Sequence, residues 1–163
     1  MLLDVGSQAP NFSAPGDDGK EISRDALSGR PAALFFYPQD DSPSCTNEAI
    51  AFSSLSDAFK KIDTRLIGIS PDSVKSHLKF RRKHGLTIEV ASDVSLAVIK
   101  AFGLWGPKTT FGRSYIGVER ATFLIAGNGV IEGIWRNVRV RGHAEAVLAA
   151  ATDLQAKHSA RHE

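Results

Sequence analysis

Hydrophobic and polar positions follow two rhythms along this chain, and each change of rhythm marks an element. Ala32-Ala33-Leu34-Phe35-Phe36-Tyr37 is a continuous apolar run, short and rich in aromatics, which predicts a buried strand. Past a polar loop, Phe52, Leu55, Phe59 and Ile62 recur at helical spacing, the apolar stripe of an amphipathic helix over Ala49 to Ile62. Arg65-Leu66-Ile67-Gly68-Ile69 predicts a second buried strand. Ser70-Pro71-Asp72-Ser73 then opens a helix that runs to His84 and closes on Gly85. Thr87 to Ala91 reads as a short strand, and Asp93 caps a helix from Val94 to Phe102, followed by Gly103. Thr122 to Ala126 and Val130 to Trp135 are β-rich runs around Gly127-Asn128-Gly129, a hairpin signal. Gly142 to Gln155 is a last amphipathic helix, and the polar tail, about 156–163, is expected to fray. Ahead of all this, Val5 to Gly29 is punctuated by glycine and proline and reads as short extended pieces joined by turns. Strand–helix–strand–helix, then a hairpin and a helix, is the order of an α/β domain with partly parallel strands.

Composition narrows the function classes. With 163 residues and 42% hydrophobic content, one domain with its own core, 1–163, is expected. The formal net charge of +2 implies no general attraction to nucleic acid. No apolar run approaches a membrane span, and Met1-Leu2-Leu3-Asp4 lacks the basic and apolar regions of a secretory signal. A cytoplasmic location is expected. The chain holds one cysteine, so no disulfide can form within it.

That cysteine sits where the first strand gives way to the first long helix, in Tyr37-Pro38-Gln39-Asp40-Asp41-Ser42-Pro43-Ser44-Cys45-Thr46-Asn47-Glu48. Ser42 suits an N-cap, and a residue before proline is pushed towards the extended conformation a cap needs. Pro43 then falls at the first helical position, where its missing N–H costs nothing. Cys45 becomes the third helical residue, with Ser42 the expected partner of its N–H. Free N–H groups and the helix dipole favour an anion there, and a thiolate is the anion this side chain offers. By composition alone a lone cysteine is usually a small buried hydrophobe. An inert thiol, however, has no need of a helix N-terminus.

Pro38, Ser42 and Cys45 stand in the spacing Pro-x-x-x-Ser-x-x-Cys, which resembles the active-site signature of the peroxiredoxins. The surrounding wording is similar to the bacterioferritin comigratory protein or PrxQ group. Phe36-Tyr37-Pro38, Cys45-Thr46-Asn47-Glu48, Phe102-Gly103-Leu104-Trp105-Gly106, Gly112 to Gly117 and Gly142-His143-Ala144-Glu145 all fit it, from about Val5 to Leu148. The resemblance implies a thioredoxin-like fold, a central mixed sheet flanked by helices, with edge strands in the N-terminal segment. It implies a thiol-dependent peroxidase that works through a Cys45 sulfenic acid, with neither cofactor nor metal. Arg120, Ser42 and the backbone N–H groups near Cys45 would hold the two peroxide oxygens, and Pro38 would shape the pocket and shield the sulfenic acid from water.

Arg120 alone reads as a solvated strand-end arginine; the resemblance makes it the active-site arginine, which would favour the thiolate and hold a peroxide oxygen. Glu48, three residues after Cys45, would alone repel a thiolate; paired with Arg120 it would orient the guanidinium fork. Tyr37 and Trp105 join Glu48 as supporting residues. Trp105, in the glycine-rich loop 103–117, reads either as a loop anchor or as a wall of the pocket. Lys79 to His84 and the trio Arg136, Arg139 and Arg141 read as solvated surface. The five histidines, His77 and His84 among them, form no metal-ligand pattern.

The chain departs from the pattern in one respect that matters for mechanism. Many relatives carry a second, resolving cysteine at positions that here hold Ile50 and Arg81. Ser44 also stands where glycine is usual. The oxidised cysteine would therefore need an external thiol, such as thioredoxin or glutaredoxin with glutathione. A monomer or weak homodimer is expected. A thioredoxin-like disulfide-exchange protein is disfavoured by the missing second cysteine of a Cys-x-x-Cys pair, and a non-catalytic peroxide sensor is separated by a turnover assay.

Overall fold

The computed structural model describes residues 3–110 and 112–161. The N-terminal reading at Met1 and Leu2 and the end of the expected tail, 162–163, lie outside them. The strands are β1 (Ser13–Pro15), β2 (Glu21–Ser23), β3 (Ala32–Phe36), β4 (Arg65–Ser70), β5 (Glu89–Ser92), β6 (Trp105–Thr110), β7 (Arg113–Val118), β8 (Ala121–Ile125) and β9 (Ile131–Trp135). The helices are α1 (Arg24–Leu27), α2 (Pro43–Ser54), α3 (Ser56–Lys61), α4 (Val74–His84), α5 (Ala97–Ala101) and α6 (His143–Arg161). The main sheet has the order β5-β4-β3-β8-β9. β3, β4 and β5 run parallel, while β8 and β9 are antiparallel additions on the other side of β3. The expected mixed α/β sheet is therefore present.

β3 is the central strand, and every residue in it is buried. Its period of two splits the core. Ala32, Leu34 and Phe36 face one layer, with Val98 and Ile99 of α5, Leu27 of α1 and the β1–β2 ribbon. Ala33, Phe35 and Tyr37 face the other, with Cys45, Ala49 and Phe52 of α2, Phe59 of α3, Phe80 of α4 and Val147 of α6. Phe35 stacks on Phe52 at 4.5 Å between ring centroids, which sets α2 directly on β3. Gly68 of β4 lets this happen, since a Cβ there would lie 2.8 Å from the Phe35 ring.

The helix boundaries are partly those expected. Ser73 caps α4 by accepting from the Ser76 N–H, and Gly85 ends it in the left-handed conformation, φ 61°. The helix expected to continue to Ile62 breaks at Leu55 into α2 and α3. Asp93 accepts from the N–H groups of Val98 and Ile99, so it tethers α5 rather than starting it at Val94. α6 continues past Gln155 to Arg161. Most of the stretch 103–117 is not a loop: β6 and β7 form an antiparallel ribbon that, among the described residues, pairs with no other strand. Its hydrophobic pattern gives no alternation to read, because β7 is exposed along most of its length.

Candidate active site

The end of β3 delivers the chain into the 38–42 turn and then into α2, whose first turn carries the sulfur. Ser42 is extended, φ −72° and ψ 150°, and Pro43 follows at the first helical position. The first intrahelical bond runs from the Thr46 N–H to the Ser42 carbonyl at 2.8 Å. The side-chain cap expected at Ser42 is absent: its hydroxyl donates instead to the Gln39 carbonyl at 3.1 Å. An exposed hydroxyl can turn back to close its own turn as readily as forward to cap a helix. Pro43 has no N–H, so the N–H groups of Ser44 and Cys45 head the helix without a side-chain acceptor.

Cys45 is 1% exposed, buried against the helical layer of the core. Arg120, in the short link between β7 and β8, reaches it across the top of the sheet. One guanidinium nitrogen, Nη2, donates to the Cys45 Sγ at 3.2 Å and to the Ser44 Oγ at 2.9 Å. The other, Nη1, donates to the Glu48 Oε1 at 2.7 Å. Arg120's backbone is fixed by the Val138 N–H, which donates to its carbonyl at 3.0 Å. Burial opposes the Arg120 charge, but Glu48 and Cys45 more than offset it and raise its pKa. Burial pushes the Glu48 carboxyl up to about 7, although the Arg120 charge and hydrogen bond pull the other way. His143, the first residue of α6, binds the Thr122 hydroxyl at 2.7 Å through Nε2. Burial, and then the Arg120 charge, hold His143 down to about 4, so it is neutral near pH 7.

A cleft of about 770 Å³ opens beside this cluster, walled by Pro38, Ser44, Trp105, Tyr115, Arg120 and Val138 among others. Trp105 of β6 and Pro38 of the 38–42 turn both line it. Arg136 also lines it, held by Glu119 at 2.6 and 2.9 Å.

The structure thus brings Cys45, Arg120, Glu48, Pro38 and Trp105 together. It turns the Tyr37 and Ser42 hydroxyls to other partners. The Tyr37 hydroxyl points away, donating to Asp40 Oδ1 at 2.7 Å with His77 Nδ1 at 3.4 Å. Burial, then the Asp40 carboxylate, hold its phenol well above the ordinary value, so it stays a neutral donor. Three contributors escaped sequence reasoning. Ser44 carries a hydroxyl on the guanidinium, and its only signal was its place next to the cysteine. His143, which feels the Arg120 charge, and its partner Thr122 lie far from Cys45 along the chain. Among the described residues no group of His, Cys, Asp and Glu is placed to hold a metal ion, and no helix is long and apolar enough to cross a membrane.

A five-stranded mixed sheet with helices on both faces, carrying a cysteine at the N-terminus of the helix after the central strand, is a thioredoxin-like architecture with a redox site. Residues 5–134 match the AhpC/TSA family, and the chain belongs to it, in the peroxiredoxins of the Bcp/PrxQ group. It is 41% identical over 148 residues to a putative peroxiredoxin Bcp of Coxiella burnetii, covering 91% of this chain and 98% of that protein. It is 36% identical over 157 residues to peroxiredoxin Bcp of Bacillus subtilis, covering 96% of this chain and all of that one (100%). Among solved structures, Xanthomonas campestris peroxiredoxin Q superposes with a TM-score of 0.83 at 36% identity, over 88% of this chain and 91% of that one.

Proposed function

We propose that Cys45 is the nucleophile through which this chain acts as a thiol-dependent peroxidase on hydrogen peroxide and organic hydroperoxides. The observation that carries the reading is the 3.2 Å contact between the Arg120 guanidinium and the Cys45 sulfur at a helix N-terminus. A cation donating to a sulfur at a helix N-terminus favours the thiolate, the nucleophilic form. The thiolate attacks the nearer peroxide oxygen; the S–O bond forms as the O–O bond breaks, and Cys45 becomes a sulfenic acid. Arg120 and the N–H groups of Ser44 and Cys45 hold the oxygens as negative charge moves to the departing one. Ser44 steadies Arg120, Glu48 orients its fork, and Pro38 and Trp105 wall the approach. Ser42 serves through its backbone carbonyl, which starts the helix.

Regeneration is external, because the chain holds one cysteine and the positions where relatives place a resolving one are Ile50 and Arg81. Arg81 instead pairs with Asp17 at 2.9 Å. A bridge between two Cys45 residues would require Cα atoms within about 7 Å, which two buried sulfurs do not reach without opening both sites. A thiol donor, thioredoxin or glutaredoxin with glutathione, therefore attacks the sulfenic acid to form a mixed disulfide, and a second thiol releases it. The reducing cytoplasm would supply such thiols, and it is the compartment this reading proposes, with the protein as a monomer or weak homodimer.

Steady-state peroxide consumption against a panel of thiol donors tests this. Cys45→Ser should abolish turnover with the fold intact, and turnover near the wild-type rate would end the reading. One equivalent of peroxide should give a monomeric sulfenic acid, trapped by dimedone and seen by intact mass. Quantitative disulfide-linked dimer without adduct would overturn the external-donor route.

A further inference from the structure

The Oε2 oxygen of Glu48 has no part in the arrangement described so far. Oε1 receives a hydrogen bond from Arg120, while Oε2 is buried and receives none from any described residue. The charges around it explain why. Arg120 faces Glu48 from the β7–β8 link, Cys45 faces the same guanidinium from Glu48's own helix, and His143 at the start of α6, which feels the Arg120 charge, is a neutral ring. One cation therefore serves two acids in a site with little water. A second buried anion beside it would be uncompensated, and buried charge without a partner is costly. When the sulfur is the thiolate, the site is neutral only if the carboxyl keeps its proton. Burial pushing Glu48 up to about 7 agrees with this, and a thiolate on the same guanidinium acts in the same direction.

We propose that Glu48, as the neutral acid with its proton on Oε2, is the catalytic acid that protonates the oxygen leaving the peroxide. The proposal rests on Cys45 being the nucleophile. The step balances. Thiolate, guanidinium, carboxylic acid and ROOH become sulfenic acid, guanidinium, carboxylate and ROH. The electron pair of the sulfur forms the S–O bond, the O–O pair goes to the departing oxygen, and the Glu48 proton joins it. The buried charge sums to zero before and after, because Glu48 becomes the anion that Arg120 neutralises once the sulfur no longer is. Reduction resets the site: a first thiol expels water and forms the mixed disulfide. A second thiol then displaces Cys45 as thiolate, and the proton of that second thiol returns to Glu48.

The test compares two oxidants whose leaving groups differ in their need for a proton. Hydrogen peroxide expels hydroxide, a strong base, while peracetic acid expels acetate, a weak one. Glu48→Gln keeps the shape and the acceptor for Arg120 but has no acidic proton. It should slow Cys45 oxidation by hydrogen peroxide by roughly 10²-fold or more and oxidation by peracetic acid by only about threefold. Alkylation by iodoacetamide, which needs no acid, reports that the thiolate and the fold persist in the variant. Should the variant not fold, the wild-type chain decides. The ratio of its rates with hydrogen peroxide and peracetic acid, in which sulfur ionisation cancels, should fall as pH rises through about 7. Equal losses for both oxidants in Glu48→Gln, or a wild-type ratio flat with pH, would overturn the proposal alone. A wild-type Cys45 that reacts with neither oxidant would overturn the peroxidase reading and the proposal together.

Discussion

Asp40 and Glu48 flank the first turn of α2, and both carboxylates are buried, yet the fold uses them differently. Asp40 is saturated. Its oxygens accept from the Tyr37 hydroxyl at 2.7 Å and the Ser76 hydroxyl at 2.7 Å, and both face His77 Nδ1, at 3.0 and 2.8 Å. His77 is fixed from behind by donating through Nε2 to the Ala91 carbonyl at 3.1 Å. Glu48 receives a hydrogen bond from Arg120, which it shares with the sulfur, and its other oxygen has no partner among the described residues. A buried acid with every lone pair engaged is a fastening, here of the active-site turn to α4 and β5. A buried acid left half engaged next to a reactive atom is available for chemistry.

The strongest way to break this contrast is Asp40→Ala. It strands His77 and the Tyr37 hydroxyl in the core, and should cost roughly 3–5 kcal/mol in urea unfolding. A loss below about 1 kcal/mol, the net worth of one ordinary hydrogen bond, would show that the network is dispensable. Arg120→Met comes next. Removing a preorganised donor to the departing oxygen should slow peroxide attack by about 10²–10³-fold, and slow alkylation by a neutral reagent less. Equal slowing of both would mean that the arginine acts on the sulfur alone.

Glu48→Gln sharpens the comparison through stability rather than rate. The carboxyl titrates near 4.5 when unfolded and near 7 when folded, so the native state holds this proton more tightly. Its contribution to stability is therefore full below about pH 4.5 and is lost as pH rises to 7, by roughly 3 kcal/mol. Glutamine has no such proton. The variant should match the wild type at low pH and gain on it by up to that amount at pH 8, measured as paired urea midpoints, a comparison in which the other titrating groups cancel. A constant difference across the range would place Glu48 as an ionised partner throughout. The smallest effect is expected at Ser42→Ala. With its hydroxyl on Gln39 and no cap to lose, the change should cost less than the roughly 1 kcal/mol of a true N-cap, again by urea unfolding.

Local signals carried most of what was legible. The apolar run at β3, Pro43 at the start of α2, Ser73 and Gly85 at the ends of α4, and the Gly127-Asn128-Gly129 turn each act within a few residues, and each stands where the pattern put it. Cys45 as third helical residue followed from that numbering alone, and Arg120 and Glu48 from the resemblance. Long-range polar pairing was illegible. Nothing along the chain links Asp40 to His77 or Arg120 to Ser44, because such contacts depend on how the sheet brings distant segments together. The direction of the Tyr37 hydroxyl was illegible for the same reason: the ring follows β3 into the core, and the hydroxyl is taken by Asp40 beside His77 of α4. The ribbon 105–118 failed on other grounds, since strands exposed on both faces have no buried side to impose an alternation.

That ribbon has a consequence of its own. Among the described residues, β6 and β7 pair with each other and with no other strand. They nevertheless supply Trp105, Lys108 and Tyr115 to the wall of the cleft. The sulfur, its arginine and its acid are anchored by the main sheet and α2, which the ribbon does not complete. Sequence change can therefore accumulate in the wall without disturbing the reaction centre. Substitutions in the ribbon are therefore expected to reshape the mouth of the cleft, and with it the choice among peroxides, while leaving the sulfur and its arginine in place.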